Sequence, residues 1–224
     1  MTETVTSQDI LESQTALSLI EAGIDQFGLF GLKATTRSIA EQAKANIAAI
    51  PYYFRNKNGL YNACMHFIVD AIWRKLGKNI SQLMTDVKSL SAHDAKQAYL
   101  SIMDAFCQFF LQDPNTARWA QLIMREHAAP TQAYEIFYSR YYVKIQALNS
   151  QLIAKCLNQH PEDKSVVVMC HALFGQALGF LIAKETLLRA IREDVMSTEV
   201  SELIRNTIKS NLNAILTQKI SQDN

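Results

Sequence analysis

Glycine and proline are scarce in this chain, with seven and four in 224 residues. Strand-rich folds need frequent tight turns, and tight turns need those residues, so the shortage points to long helices. The four cysteines, Cys64, Cys107, Cys156 and Cys170, are far apart and contain no CxxC pair. That excludes a zinc site built on close ligand pairs. With no signal-like segment at the start, they read as reduced thiols of a cytoplasmic protein. Charged residues are 19% of the chain and the formal net charge is +1. A disordered chain would be more charged and less apolar, and a polycation is excluded, so any nucleic-acid surface must be local. No HExxH, glycine-rich phosphate loop, GxSxG or paired catalytic carboxylates occur. No metal or cofactor is expected.

What is present is helical periodicity. Ile10, Leu17, Ile20, Ile24 and Phe27 lie on one face of a first helix over about Gln8–Phe27, after a short polar tail at Met1–Asp9. Two short helices follow: one from Thr35-Thr36 with Ile39, Ala40 and Ala43 inward, one from Asn46, a good N-cap. A long helix spans about Lys57–Val87. Five more are expected at about Ala92–Gln112, Pro114–Ala129, Pro130–Asn158, Asp163–Ile191 and Thr198–Lys219. The fold class is all-α, about nine helices, with a helix-turn-helix domain over residues 1–60 and a larger helical domain over 61–224. Val166–Ala183 is an 18-residue run without charge, just long enough to raise a membrane span. It is a single such run, broken by His171 and Gln176, and reads as the apolar centre of a core or interface.

Between Lys33 and Lys57 stand Lys33, Arg37, Lys44, Arg55 and Lys57 against Glu41 alone. That is a local excess of four; against a chain total of +1 the remainder is −3. Two short helices with a tight turn and a cationic rim fit a helix-turn-helix that neutralises phosphates. A solvated helical hairpin with a chance excess of cations fits the same count.

The stretch ATTRSIAEQAKANIAAIPYYFRNKNGLY, Ala34–Tyr61, resembles the TetR-family DNA-binding signature. Matching parts are a Gly before Thr-Thr, Ile-Ala-x-x-Ala, a short helix ending Tyr-Phe, and Lys-x-x-Leu. NIAAIxYYF, MREHAAPTQAYEIF (Met124–Phe137) and KETLLR (Lys184–Arg189) resemble its CecR-like branch. The resemblance implies a ligand-responsive transcription regulator, most simply a repressor, that binds a palindromic double-stranded operator as a homodimer and is released by a small-molecule effector, with no membrane partner. Thr35 or Thr36 would cap the second helix, whose N-terminus can take a phosphate. Arg37 would reach a guanine edge or a phosphate. Asn46, Ile47, Ala48 and Ala49 would start the recognition helix, with alanines against thymine methyls. Tyr52 would donate to phosphate, and Lys57 matches the family's backbone-clamping lysine.

Two positions depart from the pattern. Lys44 stands where the family usually has Gly, in a turn that suits positive φ; either the turn bears a strain of about 1 kcal/mol or its geometry differs. Pro51 would be the fifth residue of a helix starting at Ile47, a clash of roughly 3 kcal/mol. The recognition helix is therefore expected to be short, kinked or partly 3₁₀ at Ile50–Tyr52.

In the larger domain, Phe106, Phe110, Trp119, Met124, Tyr134, Tyr138 and Phe174 are candidates to line an effector cavity, with Arg125, Glu126, His127 and His171 as polar contacts. Aromatics at helical spacing also occur as plain core. The last two helices are the dimer candidates: Gly175 and Gly179, four apart, allow close approach, and Ile204, Ile208 and Leu212 align. The same pattern suits a purely intrachain core. An all-helical enzyme, a protein-binding scaffold without DNA binding, and an activator stay open, as does redox sensing by the cysteines, which lie on apolar-patterned helices.

Overall fold

The computed structural model describes residues 13–222, apart from the side chains of residues 114, 115, 221 and 222. The expected tail and Ile10 lie outside this range. The described residues form helices α1 (Gln14–Phe30), α2 (Thr36–Gln42), α3 (Ala49–Phe54), α4 (Lys57–Asp86), α5 (Ala92–Gln112), α6 (Pro114–Ala128), α7 (Gln132–Phe137), α8 (Val143–Leu157), α9 (Lys164–Ile182), α10 (Lys184–Ile191) and α11 (Thr198–Gln222). No strand occurs among them.

Local chemistry sets many of the ends. Ser13, Ser91 and Thr131 cap α1, α5 and α7 by accepting the N–H groups of Ala16, Asp94 and Ala133. Asn158 and Arg192, both left-handed, close α8 and α10. Two of the nine expected helices are divided. A π-helical turn at Tyr138–Tyr142 separates α7 from α8. Its wider winding shifts the buried line, which runs through Ala133, Phe137 and Tyr141 and then Leu148 and Leu152. Tyr138, a candidate to line the effector cavity, is off that line and exposed. The other division is at Ala183, where the apolar run gives way to the amphipathic α10, which buries Leu188.

The chain packs as two compact units. One holds the described residues up to Lys75 together with Arg118–Tyr141; the other holds Leu76–Ala117 and the residues from Tyr142 on. The first is centred on Leu19, Ile20, Ile24 and Phe27 of α1, Ile39 of α2, Ile50 of α3 and Leu60, Met65, Ile68 and Ile72 of α4. In the second, α11 packs on α5 and α8, and α9 packs on α8. Its core includes Tyr99, Met103, Leu152, Leu173 and Leu212.

All four cysteines are buried thiols. Burial pushes Cys107 up to about 12 and Cys156 and Cys170 up to about 11, and raises Cys64, Tyr61, Tyr99 and Tyr141 further. An acid whose folded pKa lies above its unfolded value contributes stability that is full below the unfolded pKa and is lost as pH rises beyond it. The unfolded values are 9.0 for the thiols and 10.0 for the tyrosines. Stability is therefore expected to be insensitive to these groups at pH 8 and to fall steeply above about pH 9–10. Urea midpoints across that range, read with tyrosinate absorbance, check this. A midpoint flat to pH 11, or all eight tyrosines of the folded protein ionising together at about 10, contradicts it.

Candidate nucleic-acid interface

The site is built from α1 to the start of α4. Helix α1 ends at Gly31, whose φ of +58° is left-handed and whose N–H donates to the Phe27 carbonyl. A 3₁₀ turn, Gly31–Lys33, leads to α2. Thr35 is extended and its Oγ1 accepts the Ser38 N–H at 3.0 Å, so Thr35 is the cap and Thr36 the first helical residue. Ile39 and Ala40 face the core. Arg37 projects outward, exposed, and pairs with Glu41 at 3.0 Å. Such an i,i+4 surface pair is weak and leaves the guanidinium accessible.

The turn after α2 is a Schellman motif: Ala45 N–H donates to Ala40 O and Lys44 N–H to Glu41 O. Lys44 holds the left-handed position at φ +52°, so of the two alternatives the turn keeps its geometry and bears the strain, and its side chain is exposed. Lys44→Gly is expected to stabilise the fold by about 0.5–1 kcal/mol while removing one cation from the rim. Thermal melts of the two proteins test this; a destabilised glycine variant counts against it.

Asn46 follows, with its Oδ1 accepting the Ala48 N–H at 2.9 Å. The next bonds, Ala49 N–H to Asn46 O and Ile50 N–H to Ile47 O, are of 3₁₀ type. The α-helix begins at Ala49 and is six residues long. The recognition helix is thus short and opens in 3₁₀ form, but the 3₁₀ bonds precede Pro51 rather than centre on it. Pro51 is the third α-helical residue, in the first turn, where a missing N–H costs nothing. Ile50 and Phe54 are buried, while Ile47, Ala48, Pro51 and Tyr52 are exposed. Tyr53 is half-buried and receives a hydrogen bond from the Ser13 hydroxyl at 2.8 Å.

Helix α3 ends in a γ-turn. Arg55 has φ +68° and ψ −45°, and the Asn56 N–H donates back to Phe54 O at 2.8 Å. Asn56 then caps α4 through Gly59 N–H. Gly59 is forced by packing: a Cβ there would lie 1.9 Å from the Phe54 carbonyl oxygen. Lys57 Nζ donates to Leu32 O at 2.6 Å and Ala34 O at 3.2 Å. The expected phosphate clamp is thus an internal brace of the segment entering α2, with one N–H left for an outside acceptor.

Arg125 and Glu126, expected as effector contacts, are engaged elsewhere within the same unit. Arg125 donates to the carbonyls of Gly28 at 3.2 Å and Leu29 at 2.8 Å, closing the C-terminus of α1. The carboxylate of Glu126, 1% exposed, accepts from the Tyr61 hydroxyl at 2.5 Å and from Thr131 N–H at 3.0 Å and Oγ1 at 2.8 Å. Asp25 and Arg118 add an ion pair at 2.8 Å between α1 and α6. These partners escaped sequence reasoning, because no local pattern links residues so far apart.

The remaining effector candidates fall into two clusters, one in each unit. In the first, Trp119 meets Phe67 edge-on, His127 meets Tyr134 and Phe137, and Tyr134 stacks on Tyr138; Met124 is half-buried. In the second, Phe106 contacts Phe110 and Phe174, and His171 Nε2 lies 2.8 Å from the Tyr142 hydroxyl. His171 Nδ1 donates to Val167 O at 3.0 Å. A hollow of about 170 Å³ in the second unit has a different lining: Gln97, Leu100, Ser101, Asp104, Ala105, Gln108 and Lys209.

The expected pairing residues separate as well. A Cβ on Gly175 or Gly179 would meet nothing within 4 Å, so these glycines open outward instead of marking tight intrachain contact. Val168 and Ile182 on the same helix are 66% and 69% exposed. That helix, α9, is long and apolar enough to cross a membrane by length and composition. Ile204, Ile208 and Leu212 are a correction. They are almost wholly buried against their own unit and have no surface to offer a partner; on α11 the exposed apolar side chain is Leu203.

Comparison with known proteins agrees with this architecture. Residues 19–64 match the family model for bacterial regulatory proteins of the tetR family, and residues 95–218 match the C-terminal domain of the HTH-type transcriptional dual regulator CecR. CecR of Shigella flexneri is 33% identical over 212 residues, covering 93% of this chain and 94% of that protein. The regulator BetI of Paraburkholderia phytofirmans is 26% identical over 58% of this chain and 60% of its own length. The fold is shared with Bacillus subtilis FadR, solved with stearoyl-CoA (16% identity, TM-score 0.54, 87% of this chain and 97% of that one). It is also shared with a transcriptional regulator of Rhodococcus sp. (16%, TM-score 0.56, 88% and 95%). The chain therefore belongs to the TetR family of transcriptional regulators, in its CecR branch.

Proposed function

We propose that the protein is a cytoplasmic repressor that binds a palindromic operator as a homodimer and leaves it when a small molecule binds the C-terminal part. Residues 1–60 read the DNA; residues 61–224 pair the chains and hold the effector. The observation that carries this reading is the outward face of α2 and α3. Thr35, Arg37, Lys44, Asn46, Ile47, Ala48 and Tyr52 are all exposed there, with Thr36 and Ala49 partly so, on a scaffold whose inner side is sealed by Ile39, Ile50 and Phe54. Exposed cations around a short protruding helix suit a phosphate-lined groove. Pairing through α9 is supported by its outward apolar line Val168, Gly175, Gly179 and Ile182, together with Leu203 of α11.

The effector contacts we favour are Phe106, Phe110, Phe174 and His171. The buried hydroxyl of Tyr99 and the Asn149 Oδ1, both without a hydrogen-bond partner, are further polar groups of that unit. Release requires only that the effector bind the DNA-incompetent state more tightly.

Fluorescence anisotropy against duplex DNA from upstream of the protein's own gene, with a shuffled duplex at the same salt, tests the reading. Preference for the native duplex, two chains bound per duplex, and loss of about tenfold or more in Arg37→Ala are expected. Equal, salt-erased binding to both duplexes would count against it.

A further inference from the structure

The exposed side of the recognition helix carries almost no hydrogen-bonding groups. Ile47 and Ala48, in the turn that enters α3, and Pro51 and Tyr52, within it, are all exposed, and the Tyr52 N–H donates to Ala48 O across the join, so the four make one outward surface. Ile47 is 48% and Tyr52 66% exposed, beside a short helix whose other side already fills a core. The amide that precedes this face, Asn46, has its carbonyl oxygen committed to the Ala48 N–H and is held as a turn, and that of Asn56, which follows it, has its oxygen committed to the Gly59 N–H. The Tyr52 ring is set edge-on against Tyr53, with centroids 4.8 Å apart. The cations Arg37, Lys44 and Arg55 are exposed and lie outside this apolar face, on α2 and on the turns before and after α3.

We infer that α3 reads its operator through the C5-methyl groups of thymine and not through the donor and acceptor pattern of the base edges. This rests on the DNA-binding reading above. The major-groove edge of thymine is the base edge that presents a methyl group, and burying an apolar surface against it is favourable in proportion to the area removed from water. Guanine and adenine recognition needs a bidentate Arg, Lys, Asn or Gln, and the face has none. The surrounding cations complement the phosphates and hold the apolar face against the floor of the groove. Pro51, unexpected in a recognition helix, then has a use: its ring adds apolar surface where a polar side chain would have to be desolvated.

The test begins with duplexes selected by the full-length protein from a random library at fixed salt. The selected sequence is then synthesised with each thymine replaced in turn by deoxyuridine, which lacks only the methyl, and with guanines replaced by 7-deazaguanine. One or more single deoxyuridine positions should weaken binding by about three- to fivefold, and combined replacements should multiply. In Ile47→Ala, which removes an exposed side chain, the thymine-over-deoxyuridine difference should shrink at one position in each half-site, while Ile47→Val retains it. Selected duplexes that bind equally well with thymine or deoxyuridine, and lose affinity with 7-deazaguanine, would overturn the inference and leave operator binding intact. A selection that returns no sequence preference would overturn both.

Discussion

Replacing Gly59 by alanine should cost about 3 kcal/mol of stability and disable operator binding, although alanine is the better helix former. In an exposed helix interior the change would gain about 1 kcal/mol. Here the new Cβ would sit 1.9 Å from the Phe54 carbonyl oxygen, and a backbone oxygen cannot swing aside as a side chain can. Either α4 must tilt away or the γ-turn at Arg55 must open. That turn is already strained by a positive φ and links the end of the reading helix to α4. Sterics therefore wins over propensity by a wide margin. A displacement that loses even about 1.4 kcal/mol of DNA contact lowers affinity tenfold. Urea melts and operator titrations of Gly59→Ala, beside Asn58→Ala as an exposed control, measure both effects. An alanine variant within about 0.5 kcal/mol of the parent would show that the contact between α3 and α4 is looser than described.

The second large effect is expected at Glu126. Its buried carboxylate accepts three hydrogen bonds, from α4 through Tyr61 and from the cap of α7 through Thr131. In Glu126→Ala the Tyr61 hydroxyl, the Thr131 N–H and its hydroxyl all lose their acceptor inside the protein. Each unsatisfied buried group costs about 1–3 kcal/mol, partly relieved by water entering the space, so a loss of about 3–4 kcal/mol is expected. Tyr61→Phe removes one donor and should cost about 1 kcal/mol. A double variant should cost less than the sum of the two, because the partners share one contact. Strict additivity in the double-mutant cycle would mean that Tyr61 and Glu126 act independently. Since Tyr61 lies in the first two turns of α4, the Glu126 variant is also expected to weaken operator binding.

The helix-turn-helix was readable in the chain because its signals are local. A hydroxyl cap at Thr35, the Ile39–Ala40 pair, a turn residue at Lys44 and an asparagine at the next start each act within four or five residues. The same locality made the Lys44 and Pro51 departures interpretable from sequence. For Pro51, the structure moved the helix start from Ile47 to Ala49 and so turned an expected clash into a tolerated first-turn proline.

What the sequence could not decide is which surface each apolar or charged side chain meets. Ile204, Ile208 and Leu212 announce a buried face by their spacing, yet periodicity is the same whether the cover is the protein's own α5 and α8 or another chain. Gly175 and Gly179 announce close approach, yet only packing tells inside from outside. Arg125 and Glu126 read in the sequence as polar contacts for an effector. Their partners, Gly28, Leu29 and Tyr61, lie 97, 96 and 65 positions away and become neighbours only when α6 packs on α1 and α4. Propensity, capping and periodicity act over one or two turns of chain, so the sequence alone settled most of the helices, their order and the reading motif, but not the divisions at Tyr138–Tyr142 and Ala183. Desolvation and hydrogen-bond partnership act through space, so the tertiary structure alone settled which of those side chains brace the fold and which stay exposed.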